Sequence, residues 1–182
     1  MARAWLVMGF ALIAAAASAA PASAAPLYAD EATDWGVAPQ AALRLEQYRA
    51  PTPTDIPAAE PVDTARLEAL WRAANQPLLI AVLGGEAPRG IPGSLRLGDA
   101  GRGVSFGDLT QQRLAQHLRR ATNANPAAVV VFYGSDAQCW LAYNASLRAV
   151  RLGYTHVLWY RGGVKAWEAA GLPMVALPDD KW

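Results

Sequence analysis

Cysteine is almost absent from this chain. Of 182 residues only Cys139 is one, so no internal disulfide can form. Histidine is nearly as scarce: His117 and His156 stand far apart in sequence, and no acidic or cysteine partner completes a ligand set beside either, so no metal site is expected. There is no Lys/Arg cluster and little net charge. Removing residues 1–24 takes away one of 16 basic residues and none of 15 acidic ones, leaving a formal net charge of zero. A neutral domain of this kind has no electrostatic reason to bind nucleic acid or an anionic membrane. Apart from the extreme N-terminus, no stretch is long and apolar enough to span a bilayer.

The N-terminus reads as a secretory signal peptide over residues 1–24. Arg3 supplies a short positive region, and Ala4 to Ala17 an apolar stretch too short and alanine-rich to span a bilayer stably. Ala22-Ser23-Ala24 forms a small-x-small cleavage site, with Ala17-Ser18-Ala19 as a second. An uncleaved anchor is the alternative. Cleavage leaves about 158 residues, one domain with a real core, expected in the periplasm and without membrane attachment. In an oxidising compartment a lone thiol is buried, in contact with another protein's thiol, or modified with sulfur or oxygen.

Residues 25–60 are rich in proline and alanine. Pro39, Pro51, Pro53 and Pro57 break regular structure, although Ala41 to Tyr48 is long enough for one short helix. This segment reads as an extended arm lying over a domain of residues 61–182. In that domain Asp63 is placed to cap a helix from Thr64 to about Asn75, and Leu78–Leu83 is a continuous apolar run of strand length. Ser94–Leu97 fits an edge strand, Phe106–Arg120 a helix and Val129–Tyr133 a strand. A helix from Trp140 to Leu152 closes at Gly153, a strand spans Thr155–Tyr160, and a last helix runs from Val164 to Ala170. The alternation predicts an α/β fold with a mostly parallel central sheet flanked by helices.

Cys139 falls in the loop between the Val129–Tyr133 run and the next helix, at the carboxyl end of a strand, where such sheets bind ligands. A thiol at a helix start faces unpaired N–H groups and the positive end of the dipole, which favours thiolate. The alternative is that Cys139 is a small buried hydrophobe.

Several segments together resemble a rhodanese domain: Ile91-Pro92-Gly93-Ser94, the strand–loop–helix holding the cysteine, Leu152-Gly153-Tyr154, and most specifically Gly162-Gly163-Val164-Lys165-Ala166-Trp167-Glu168-Ala169-Ala170-Gly171-Leu172-Pro173. The resemblance covers about Pro61 to Val175. A narrower likeness rests on Cys139-Trp140, Tyr143-Asn144-Ala145 and Arg148-Ala149, together with the signal peptide and the arm segment Tyr48-Arg49-Ala50-Pro51. It resembles the exported CXXCW-motif proteins associated with catabolism dependent on pyrroloquinoline quinone.

The rhodanese resemblance implies a sulfurtransferase. The catalytic residue would be Cys139, and the anion-binding loop would comprise Gly134, Ser135, Asp136, Ala137, Gln138 and Trp140, with inward-pointing N–H groups stabilising a thiolate or persulfide. Arg148 and Arg161 are candidate anion contacts, the alternative for each being a weak surface ion pair. No cofactor is implied. The partner would be a small sulfur donor or a thiol-bearing protein, and the narrower resemblance adds a quinoprotein dehydrogenase or its cytochrome.

The pattern is broken at the nucleophile. Counting forward from the strand places it at Gly134, while counting back from Gly153 places it at Asp136; Cys139 lies beyond both, which implies a longer loop. In the CXXCW pattern Cys139 matches the second cysteine, and Asp136 stands at the first. A dithiol mechanism within one chain is therefore excluded. An acidic residue there would oppose thiolate formation and repel anionic donors; it is also suited to accept hydrogen bonds from the loop or to occupy the anion site itself. A sulfurtransferase, a catalytically silent accessory protein and a mixed-disulfide partner all remain as readings. Trp140, Trp159, Tyr160 and Trp167 are expected in the core, and the narrower resemblance adds weight to a structural hydrogen-bonding role for Asn144; the sequon Asn144-Ala145-Ser146 is discounted because it lies inside the predicted helix.

Overall fold

The computed structural model describes Met1, residues 27–86 and 88–178, and Trp182. The predicted signal peptide, Met1 apart, lies outside the described residues. The elements in order are β1 (Glu60–Val62), α1 (Thr64–Arg72), β2 (Leu78–Ala81), β3 (Arg89–Gly90), β4 (Leu95–Arg96), α2 (Leu109–Ala121), β5 (Val129–Tyr133), α3 (Trp140–Arg151), β6 (His156–Tyr160), α4 (Gly163–Ala169) and β7 (Val175–Ala176). Five strands form a sheet in the order β1-β6-β5-β2-β4, paired in parallel throughout, and β3 and β7 form a small antiparallel pair.

Helices cover both faces of the sheet, and the two-residue period of the strands decides which side chain meets which. Val130 and Phe132 of β5 face Leu114 and Leu118 of α2 and Trp140 and Tyr143 of α3. Val131 and Tyr133 face Leu67 of α1 and Ala166 and Trp167 of α4. Each of these side chains contributes roughly 1.5–3 kcal/mol on full burial, so the two central strands anchor both halves of the core. Asp63 caps α1 by accepting from the Arg66 N–H at 2.8 Å, and Asp108 caps α2 by accepting from the Gln111 N–H at 2.9 Å. No described helix is long and apolar enough to cross a membrane.

Three local differences from the sequence reading have physical causes. Ala41–Tyr48 is not helical: the Arg44 N–H and C=O bond across to Asn144 at 3.0 and 2.8 Å, and Gln47 has φ +48°. A helix that short is marginal in any case, so the cross-chain bonds win. Glu60-Pro61-Val62 is a strand despite its proline, which an edge position tolerates. β2 stops at Ala81, although the Val82 N–H still donates to the Tyr133 carbonyl at 2.8 Å.

Candidate active site

Six residues, 134–139, join β5 to α3, and Cys139 is the N-cap residue of α3 without any side-chain capping bond. Its side chain turns back across the loop. A Cβ added at Gly134 would overlap the Cys139 Sγ and stand 2.6 Å from the Cys139 Cβ. Gly134 is not among the residues with positive φ, so what its lack of a side chain provides is room. The sulfur thus sits where a side chain on the first residue after β5 would begin, delivered from five positions later. It occupies the place of the forward count, Gly134, and the displacement of Cys139 along the chain does not displace its sulfur from the strand end.

The loop is held from below by α4. Gly163, at φ +61°, lies so close that a Cβ there would come 2.5 Å from the Gly134 carbonyl oxygen and 2.8 Å from the Asp136 nitrogen. The Val164 and Lys165 N–H groups donate to the Gly134 and Ser135 carbonyls at 3.0 and 2.9 Å. From above, the arm closes over it. The Trp140 N–H donates to the Tyr48 carbonyl at 3.0 Å, the Ala50 N–H to Gln138 O at 3.1 Å, and Thr52 Oγ1 to Ala137 O at 2.7 Å. Arg49 lies in an antiparallel bridge opposite Cys139, and its guanidinium donates to Ser135 Oγ at 2.8 Å and to Asp136 Oδ2 at 2.7 Å.

Asp136 turns its other oxygen inward, where Oδ1 accepts from the Gln138 N–H at 2.9 Å. Burial pushes the Cys139 thiol up; the N–H groups of Ala142, Ser135 and Leu141 pull it down, and the Asp136 charge adds to the rise. The helix-start argument for an acidic thiol is thus outweighed by desolvation. Beside the sulfur opens a cavity of about 350 Å³, lined by Tyr48 and Arg49 of the arm, Leu83 and Gly84 after β2, Arg102, Ser135 and Leu141. A half-buried Cys139 at the floor, three N–H groups around its sulfur and two arginines at the wall suit attack on an anionic sulfur compound.

A family model described as "Rhodanese-like domain" matches residues 86–170. The chain carries a rhodanese-like domain. Among solved structures it is similar to thiosulfate sulfurtransferase from Pseudomonas aeruginosa, at 15% identity and a TM-score of 0.50, over 67% of this chain and 21% of that one. It is likewise similar to a double variant of EanB in complex with hercynine, at 16% identity and a TM-score of 0.51, over 65% of this chain and 32% of that one. This chain therefore spans about a fifth and a third of those proteins, and at these identities the likeness is one of fold. No curated protein matches.

In this rhodanese-like domain the expected loop residues Gly134, Ser135, Asp136, Ala137, Gln138, Cys139 and Trp140 lie together, but the two expected anion-holding arginines do not join them. Arg148 is fully buried. Its guanidinium donates to Asp108 through both terminal nitrogens, at 3.0 and 2.9 Å, and to the Ser105 and Arg102 carbonyls and Gln111 Oε1. Its place on α3 faces the neighbouring loop and α2, so it organises them instead of holding an anion. Arg161 is 3% exposed and clamps the arm, donating to the carbonyls of Asp30, Glu31, Thr33 and Thr52 and to Thr52 Oγ1. Neither is the surface ion pair that was the alternative.

Arg161→Met should therefore loosen the arm while leaving the sheet folded. The expected result is new protease cleavage between residues 27 and 56 with an intact fragment beyond them, read by mass spectrometry; an unchanged digestion pattern would count against the clamp.

Trp140, Trp159, Tyr160 and Trp167 are core residues, and Trp140 Nε1 donates to the Pro51 carbonyl at 3.0 Å. Asn144 is buried, bonding Arg44 and Gly101. Among the described residues no group of three or more His, Cys, Asp or Glu side chains is placed to hold a metal ion. Sequence reasoning missed Arg49 and Arg102. The segment Tyr48-Arg49-Ala50-Pro51 was noticed, but nothing in its spacing tied it to a loop more than 80 residues away.

Proposed function

We propose that this protein is an exported sulfurtransferase working through a Cys139 persulfide. The observation that carries the reading is the placement of the Cys139 sulfur at the end of β5, in the space left by Gly134 and facing the N–H groups of Ser135, Leu141 and Ala142. The thiol first loses its proton to solvent. Its thiolate then attacks the outer sulfur of a donor such as thiosulfate; the donor's S–S bond breaks and sulfite leaves with the electron pair. The N–H groups share the negative charge on the persulfide terminus. An acceptor thiolate or cyanide then attacks that terminal sulfur, and the Cys139 thiolate is restored with no net oxidation.

The proposal extends to the periplasm, on the signal-like residues 1–24, and to catabolism dependent on pyrroloquinoline quinone, on the CXXCW-like segment around Cys139-Trp140. A second reading, an inactive accessory protein that binds a quinoprotein dehydrogenase or its cytochrome, is favoured by the raised thiol and by Asp136 beside it. Intact mass after incubation with thiosulfate or polysulfide separates the two. The expected result is a gain of one sulfur atom that disappears in Cys139→Ser; no gain at any pH from neutral to mildly alkaline would sink the sulfurtransferase reading.

A further inference from the structure

We propose that Arg49, carried by the arm and not by the segment that matches the rhodanese-like family, is a positioning residue of the Cys139 site: it fixes the loop at Ser135 and Asp136 and cancels the Asp136 charge beside the sulfur. The inference rests on Cys139 being the reactive group of the proposed sulfur transfer, but its central measurement does not require that transfer to occur.

Three features of the geometry carry it. Arg49 stands opposite Cys139 in a backbone bridge, so the arm fixes its starting point directly over the sulfur. Its two terminal nitrogens are divided between Ser135 Oγ and Asp136 Oδ2, at 2.8 and 2.7 Å, which pins two consecutive loop residues from outside the loop. The Asp136 side chain is only 15% exposed, so water screens its charge poorly, whereas Arg49 is 65% exposed and free of desolvation cost. An exposed arginine of this kind adds little to stability. Its effect falls on the field at the sulfur.

The surroundings contain little else that would do this. Among the described residues, the titratable or charged side chains around Cys139 are Asp136 from its own loop, Tyr48 and Arg49 from the arm, and Arg102 from the segment after β4. Arg102 is paired with Asp99 at 2.7 Å. The segment after β2 presents Val82, Leu83 and Gly84, and the first turn of α3 presents Leu141 and Ala142, none of which titrates. From α4 come backbone N–H groups, while the Lys165 side chain reaches instead to Asp30 at 3.0 Å. Among the described residues, Arg49 is the cation bonded to Asp136, the carboxylate whose charge acts on the sulfur.

The test is the rate of Cys139 alkylation by iodoacetamide as a function of pH on the full chain. Arg49→Ala should move the midpoint of the profile upward by about one unit, on the order of tenfold slower at neutral pH. Arg49→Gln should behave like Arg49→Ala, and Arg49→Lys should fall between them and the parent. Adding Asp136→Asn to Arg49→Ala should return the midpoint to the parent value or below. A loosened arm would raise the plateau rate and, by exposing the thiol to water, move the midpoint downward, so a purely structural role is distinguished by the sign of the shift. An unmoved or lowered midpoint in Arg49→Ala and Arg49→Gln, or no recovery with Asp136→Asn, overturns the inference. Persulfidation of the same variants separates the two proposals: a shifted midpoint with no persulfide in any variant sinks sulfur transfer alone, and persulfide with an unmoved midpoint sinks the role of Arg49 alone.

Discussion

Gly134→Ala should silence Cys139. The added methyl would occupy the volume now filled by the Cys139 Sγ and lie 2.6 Å from its Cβ, so the cysteine must rotate out or the loop must shift. The Val164 and Lys165 N–H groups hold the loop's carbonyls from below and Tyr48 to Thr52 hold it from above, which leaves rotation as the easier escape. Overpacking of this kind costs about 1–3 kcal/mol, and the chain should remain folded. Reactivity suffers more, because a sulfur moved by about 1 Å from its N–H partners is expected to lose on the order of 100-fold in rate. The informative companion is Gly134→Cys combined with Cys139→Gly, which removes both the Sγ and the Cβ at position 139. It places the sulfur at the start of the loop and removes the obstacle, so persulfide formation should return. Intact mass after sulfur-donor treatment reads both variants. An active Gly134→Ala beside an inert double variant would show that the location of the sulfur is not what matters.

The second large effect lies away from the sulfur. Arg148→Met should destabilise the domain by about 3–5 kcal/mol, which for a chain of this size lowers Tm by roughly 10 °C. The cost arises because Asp108, 14% exposed, keeps its charge after its partner has gone. Burial by itself would raise the Asp108 carboxyl; the Arg148 hydrogen bonds, the Gln111 and Ser105 N–H groups and the Arg148 charge bring it down from 3.8 to about 2. Because the folded value lies below the unfolded one, the stabilisation, on the order of 2 kcal/mol, is fully present above about pH 4 and is lost as pH falls towards 2. Chemical denaturation from pH 7 to pH 2.5 should show this slope in the parent protein and a shallower one in Asp108→Asn. Combining Arg148→Met with Asp108→Asn should recover part of the loss, since no buried charge is then stranded; a double variant as unstable as the sum of the singles would refute the pairing.

The parts of the fold legible in the sequence are those with strong local signals. Val129–Tyr133 and the strand ending at Tyr160 are apolar runs that only a two-faced sheet position explains, and Asp63 marks the start of α1 through its own side chain. Cys139 is legible as a loop residue before a helix. Where its sulfur points is not, because that depends on the missing side chain of Gly134 five residues earlier, and a glycine in a loop reads first as a turn. Arg148 misleads for a related reason. Helical spacing gives the face a residue occupies but not what waits there, and an arginine expected near an anion meets Asp108 and three further loop or helix oxygens. Arg49 is invisible to any local reading, since its partners lie 86 and 87 positions away.

Those separations also set an order of assembly. The arm is made before the strand and loop it covers, and β1 pairs with β6, whose residues come almost a hundred positions later. Contacts this distant in sequence are slow to form and reward the chain only once the intervening segments have collapsed. The arm residues are thus made well before the loop they cover, and the sulfur acquires its cover of Tyr48 to Thr52 only once residues 135–140 have joined them. A fragment cut to the family-matched segment, residues 86–170, would carry Cys139 without its arginine.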